Sequence, residues 1–223
     1  MISQRHYQLM LIVALIGPFC SGCLETNADA ETLLRNTAEK QVDIKSLTYI
    51  EILTFHIGKE TRTVEYDVTL KTPDKFRKIE RIDSILRSEI VSNGDIVWIY
   101  DPEVNVVFIR NLTPSEKMPE PAIYALLTDN ITETYRIEDQ EVGSLNSISV
   151  RKVKLSPHEL DNENMREYLM WIDSESLTPL KLESLDMGKP MLTLEYQDYS
   201  INCITDDNEF TFAIPDGASA VYA

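Results

Sequence analysis

Val64-Glu65-Tyr66-Asp67-Val68-Thr69-Leu70-Lys71 alternates apolar and polar residues without a break. A period of two is the signature of a strand with one dry face. The same reading applies to stretches near 47–57, 75–82, 86–92, 95–101, 104–110, 133–142, 146–155, 166–173, 179–186 and 191–199. Ser92-Asn93-Gly94-Asp95, Asp101-Pro102-Glu103-Val104 and Asp186-Met187-Gly188-Lys189 separate strands with residues that suit tight turns. About ten or eleven consecutive strands joined by short turns predict a strongly curved antiparallel sheet or open barrel, in an α+β fold that is mainly β.

Two segments follow a different period. From Glu31 to about Val42, the apolar positions Leu33, Leu34, Ala38 and Val42 have helical spacing, with Asp29 near the start as a cap. Between the sixth and seventh strands, Met118-Pro119-Glu120-Pro121-Ala122-Ile123-Tyr124-Ala125-Leu126-Leu127 places two prolines at a helix start. Apolar residues at 123, 126 and 127 then predict a short amphipathic helix. Helices covering one face of a curved sheet enclose either a filled core or a lined cavity. Periodicity does not separate the two, since both need apolar residues on the same face.

The N-terminus has another character. Arg5 and His6 precede Leu9-Met10-Leu11-Ile12-Val13-Ala14-Leu15-Ile16, then Gly17-Pro18 and Ser21-Gly22-Cys23. A basic start, a short apolar run and small residues before a cut site describe a secretory signal over residues 1–22. The apolar run is too short for a spanning helix, which needs roughly 20 apolar residues. Ser-Gly-Cys resembles the lipobox of prokaryotic lipoproteins, in which the cysteine becomes the first mature residue and carries the lipid. That makes Cys23 the expected lipid attachment site, although Cys20 stands where the usual leucine would be. A plain signal with a chance cysteine and an uncleaved anchor are the alternatives. Cys20-Ser21-Gly22-Cys23 also has C-x-x-C form, but cleavage before Cys23 would separate the two thiols.

Removing 22 of the 223 residues leaves 201, enough for one domain. No linker, repeat or low-complexity tract interrupts it, so residues 23–30 read as a tether and 31–223 as the domain. Arg5 is the only charged residue of the signal, so its removal takes the formal net charge from -16 to about -17. So acidic a surface is repelled by phosphate backbones, which argues against nucleic acid as a partner. It is also repelled by anionic head groups, so attachment to a membrane would rest on the lipid, with more than one chain for stable anchoring. Cys203 alone remains after processing, and no internal disulfide can form. Asn111-Leu112-Thr113, followed by Pro114, and Asn130-Ile131-Thr132 are formal glycosylation sequons.

Catalysis finds little support. Only His56 and His158 survive signal removal, and the sequence has no G-x-S-x-G, H-E-x-x-H, phosphate loop or dinucleotide fingerprint. A zinc site from His56, His158 and Cys203 has no support in their spacing. The acidic clusters Asp161-Asn162-Glu163-Asn164 and Asp206-Asp207-Asn208-Glu209 lack the spacing of a calcium loop and read as solvated turns. The expectation is a protein that is not an enzyme, with no metal and no cofactor.

The order of segments resembles that of the LolA/LolB type of bacterial lipoprotein carriers and receptors. Leu70-Lys71-Thr72-Pro73-Asp74-Lys75-Phe76-Arg77 is similar to the family's strand ending in a basic residue, a proline and a turn before Phe. Ile90 to Val104, which contains Ser92-Asn93-Gly94 and Trp98-Ile99-Tyr100-Asp101-Pro102, resembles its hairpin of VSDGKTLWFYNP type. Pro121 to Leu127 falls where the family carries a lid helix. Phe210-Thr211-Phe212-Ala213-Ile214-Pro215-Asp216-Gly217 resembles its closing strand. The family often has a lid-bonding arginine before the proline, where this chain has Thr72.

The resemblance implies a half-barrel with the N-terminal and lid helices on its concave side, enclosing a hollow that holds acyl chains. The expected apolar binding residues are Leu70, Phe76, Trp98, Tyr100, Met118, Ile123, Leu126, Leu127 and Met170; Trp171 is a further aromatic on a strand. Ordinary core packing is the competing reading for each. The expected function is an anchored lipoprotein on the outer face of a cell membrane that binds a lipid or lipidated protein, with a role in lipoprotein sorting or transfer. The alternative is an envelope sensor or protein-interaction module on the same fold.

Overall fold

The computed structural model describes residues 22–41, 43–113, 123–127, 131–158, 166–203 and 206–222. Helix α1 (Gly22–Gln41) leads into six strands: β1 (Ser46–Ile57), β2 (Glu60–Lys71), β3 (Lys75–Ile82), β4 (Ile85–Asn93), β5 (Ile96–Asp101) and β6 (Val106–Asn111). A 3-10 turn (Tyr124–Leu126) and the one-turn helix α2 (Ile131–Thr134) follow. Then come β7 (Tyr135–Leu145), β8 (Ile148–Pro157), β9 (Glu167–Asp173), β10 (Pro179–Asp186) and β11 (Lys189–Ile201). A second 3-10 turn (Asp207–Phe210) precedes β12 (Ser219–Tyr222).

The twelve described strands form one sheet in the order β12-β6-β5-β4-β3-β2-β1-β11-β10-β9-β8-β7. Two meanders, β1 to β6 and β7 to β11, are joined along one seam where Leu47 of β1 faces Ile201 of β11. Every pairing among the described strands is antiparallel except β12 with β6, which is parallel. β7 and β12 lie at opposite edges, so the curved sheet is a half-barrel that does not close. Tight reversals are written locally. Asp83-Ser84, Asn146-Ser147 and Met187-Gly188 each place two successive residues at positive φ, the geometry that matches the twist of a two-residue hairpin.

Cross-strand partners share a face. Leu47 faces Leu70, which faces Phe76. On the other side of the seam Leu194, Leu182, Met170 and Val153 follow one another across β11, β10, β9 and β8. Against this concave face pack Ala30, Leu33 and Leu34 of α1, with Ile123, Tyr124, Leu127 and Ile131, in one buried cluster. The opposite face of β4 to β6 carries Val91, Trp98 and Ile109. There the C-terminal segment folds under the sheet: Phe212 stacks on Trp98 at 6.4 Å, and the fully buried Phe210 ends a turn packed on β3 and β4. Lys71 and Lys75 pin that turn through Asp207 at 2.7 and 2.6 Å.

Three details differ from the sequence expectation. The helix reaches back to Gly22, over residues 23–30 expected as a tether. The closing strand is not Phe210–Gly217 but Ser219–Tyr222: Pro215 has no N–H to give a ladder, and its carbonyl instead accepts from Ala218 N at 3.0 Å in a turn with Gly217 at φ 75°. Of the expected mid-chain helix, residues 118–122 lie outside the described residues, and 123–127 form a 3-10 turn. No described helix is long and apolar enough to cross a membrane.

Candidate functional site

Alternation along β1 sends Leu47, Tyr49, Glu51 and Leu53 to the covered face, and β11 answers with Leu194 and Tyr196. Tyr49 packs edge-on to Tyr196 at 5.3 Å and stacks on Tyr199 at 5.9 Å. The turn at 123–127 sits on this aromatic floor. Its hold is partly apolar, through Ile123, Leu127 and the half-buried Leu126, and partly polar. The Ile123 N–H donates to Tyr196 Oη at 3.5 Å, and Tyr124 and Tyr199 share a hydroxyl-hydroxyl bond of 2.9 Å.

Tyr196 donates onward to Glu51 Oε1 at 3.1 Å. Glu51 is buried on this covered face, and its other oxygen lies 3.9 Å from Lys78 Nζ. Burial raises its pKa, against the opposing pull of Lys78 and the Tyr196 hydroxyl. Lys78 in turn lies over the Tyr66 ring at 3.8 Å. Burial likewise pushes up the phenols of Tyr49, Tyr196 and Tyr199, which stay neutral. The seat of the turn is therefore a chain of dipoles running from its backbone to a carboxylate on the sheet.

Near the C-terminus of α1 the surface opens. A cleft of about 640 Å³ is lined by Leu145, Ile148, Leu180, Tyr196, Tyr199 and Ile201, with Asp173 and Asp198 among its polar residues. It shares Ser176, Thr178 and Ile201 with a neighbouring cleft of about 280 Å³ that reaches Tyr124 and Lys40. The larger volume lies within the roughly 300–1,000 Å³ of small-molecule sites. Tyr196, Tyr199 and Tyr124 thus belong both to the seat of the turn and to the clefts beside it.

The family described as outer membrane lipoprotein carrier protein LolA matches residues 54–213. This chain belongs to the LolA family. An uncharacterized protein of Methanocaldococcus jannaschii is 23% identical over 95% of the chain, which spans only 59% of that relative. An outer-membrane lipoprotein carrier protein of Chromohalobacter salexigens is 25% identical over 74% of the chain and 73% of its own length. Among solved structures, MucB superposes with a TM-score of 0.53 at 14% identity, covering 83% of this chain and 63% of that one. MucB and this chain therefore share their fold.

Within this LolA-family fold the expected binding residues divide by face. Leu70 and Met170 are buried on the concave side, Phe76 packs beside them, and Ile123, Leu126 and Leu127 form the turn above. Trp98 and Tyr100 are on the opposite face, under Phe212. Trp171 is also outside, between the ammonium groups of Lys152 and Lys181 at 5.2 and 5.0 Å. Met118 lies outside the described residues. Thr72 does not bond the turn: its hydroxyl and N–H both go to the Lys45 carbonyl. The tyrosine floor and Glu51 went unremarked in the sequence. Their signal was present, since Leu47, Tyr49, Glu51 and Leu53 alternate on one face of β1. His56 bonds Thr193 Oγ1 at 3.0 Å, and the described residues hold no group of three acidic, His or Cys side chains placed for a metal.

Proposed function

We propose that this chain is an extracytoplasmic lipoprotein, anchored through a lipid on Cys23, that binds an acyl chain of a lipid or lipidated protein in the concave hollow. The observation that carries this reading is the seat of the 123–127 turn: an apolar contact with the sheet, secured by few polar bonds and flanked by an open cleft. An acyl chain left in water costs about 0.8 kcal/mol per exposed CH₂. A carrier has to enclose it. Displacing Ile123, Leu126 and Leu127 would exchange their place in the buried cluster that also holds Leu70, Phe76 and Met170 for contacts with the chain, at little net loss of apolar burial. Trp98 and Tyr100, on the far side, would support the sheet rather than touch cargo. The role is non-covalent binding, with sorting or transfer of lipoproteins as its setting and no catalytic step.

Native mass spectrometry of the detergent-free protein with Cys23→Ser tests it, followed by solvent extraction. Copurifying acyl ligand, reduced by Leu126→Ser and lost in the Leu126→Ser/Leu127→Ser pair, supports the hollow. A ligand-free protein that also refuses added lipid rejects it. Leu126 is half-buried, so the single variant keeps the test readable if the pair unfolds.

One observation favours a second reading, an envelope sensor or interaction module. β7 is an edge strand of eleven residues with exposed Glu141, Val142, Gly143 and Ser144, and such an edge can accept a strand from a partner protein. Loss of a partner in Val142→Pro with retained lipid uptake would separate the two readings.

A further inference from the structure

The buried cluster occupies part of the concave face. Its described sheet members come from β1 to β3 and from β7 to β11, and none comes from β4, β5, β6 or β12. On the same face, register carries a second set of side chains across those remaining strands. Val68 faces Lys78, Lys78 faces Ile90, Ile90 faces Ile99, Ile99 faces Phe108 and Phe108 faces Val221. Ile90 and Ile99 are half-buried, and Phe108 and Val221 are each 43% exposed. A lone exposed apolar residue is ordinary, but four in register on adjacent strands make one continuous band.

Polar side chains bound the band. Alternation puts Glu80, Ser88, Asp101 and Ser219 with Val106 along one side of it, and Ser92 and Arg110 with Phe76 and Val97 along the other. At the β3 end Lys78 interrupts the apolar row, its ammonium over the Tyr66 ring and 3.9 Å from Glu51. Same-face neighbours along one strand lie roughly 6.6 Å apart, so the band is one row wide. From β4 to β12 it crosses three strand spacings, about 14 Å. A bilayer leaflet holds an extended acyl chain in half of a roughly 30 Å hydrocarbon layer, about 15 Å. The band therefore has the length of one acyl chain.

Resting on the carrier reading above, we propose that the concave face seats two acyl chains. One takes the place of the 123–127 turn, and the second lies along Ile90, Ile99, Phe108 and Val221. The ligand is then a two-chain lipid or lipid group whose chains diverge at Lys78. One chain does not fill both seats, because Lys78 and Glu51 set charged groups in the path between them. The second seat also gives β12 a purpose. Its four residues are exposed and cover no core of their own, yet pairing with β6 brings Val221 to the end of the band.

The test uses the full chain with Cys23→Ser and counts bound lipid by native mass spectrometry. Palmitate is the single-chain probe and dipalmitoyl phosphatidylcholine the two-chain one. The parent takes two palmitates or one phosphatidylcholine. Phe108→Ser/Val221→Ser takes one palmitate and binds the phosphatidylcholine about tenfold more weakly. Both side chains are already 43% exposed, so the pair removes little buried area. A second measurement needs no variant in the band: palmitate with a diazirine at its chain end labels peptides holding residues 99, 108 or 221 as well as the peptide holding 126 and 127. A parent that saturates at one palmitate, a serine pair that still takes two, or label confined to 126 and 127 overturns the second seat and leaves the carrier reading standing. A parent that takes up neither probe overturns both.

Discussion

Glu51 is a carboxylate on the dry face of β1, and its position sets the sign of a pH effect. Burial raises its pKa from the ordinary 4.5 despite Lys78 and Tyr196. A raised folded value means that the stability tied to this group is full below the ordinary carboxylate range and is lost as pH rises through the folded value. Glu51→Gln keeps an acceptor for Tyr196 and carries no charge. It is therefore expected to be more stable than the parent at neutral pH, with the difference closing as pH falls through the carboxylate range; urea unfolding at several pH values checks this. Tyr196→Phe removes the hydroxyl that joins Glu51 to the Ile123 N–H. Leaving those buried groups short of a partner costs about 1–3 kcal/mol, and limited proteolysis should cut near residues 123–127 sooner. Glu51 was legible in principle, because strand alternation alone puts it between Tyr49 and Leu53 on the covered side. Its partners were not, since Tyr196 is brought to it by a pairing between opposite ends of the chain.

Period-two stretches read from the sequence coincide with β1 to β11, because alternation records which residues each strand must bury. β12 escaped that reading. All four of its residues are exposed, so Ser219–Tyr222 has no buried face to alternate against. Faces were also beyond the sequence: Trp98 and Leu70 look equally apolar, and only the register of β2 through β5 sends them to opposite sides. The C-terminal segment matters at this scale. Phe210 is fully buried beneath β3 and β4, so Phe210→Ala should cost about 3–5 kcal/mol. Hydrogen exchange should then speed up in β6 as well as β12, because β12 is the neighbour that covers the β6 edge. Equal exchange in β6 with and without the substitution would show that the clasp and the edge are independent.

For the molecule as a whole, a formal net charge of -16 sets repulsion against packing. Screening shortens that repulsion to about 10 Å at 0.1 M salt. The thermal midpoint is expected to rise with added sodium chloride, and a midpoint that falls would show that paired charges such as Arg77–Glu89 dominate instead. The seam between β1 and β11 has a further consequence, for the order in which the chain assembles. Among the described strands every other antiparallel pairing joins neighbours in the chain, while this one brings Leu47 to Ile201. Local hairpins close quickly, and a ladder between distant segments waits on the entropy of a long loop. The two meanders should thus form first as separate sheets, each with an unpaired inner edge. Newly made chains would be most prone to associate during that interval, with β1 of one meeting β11 of another.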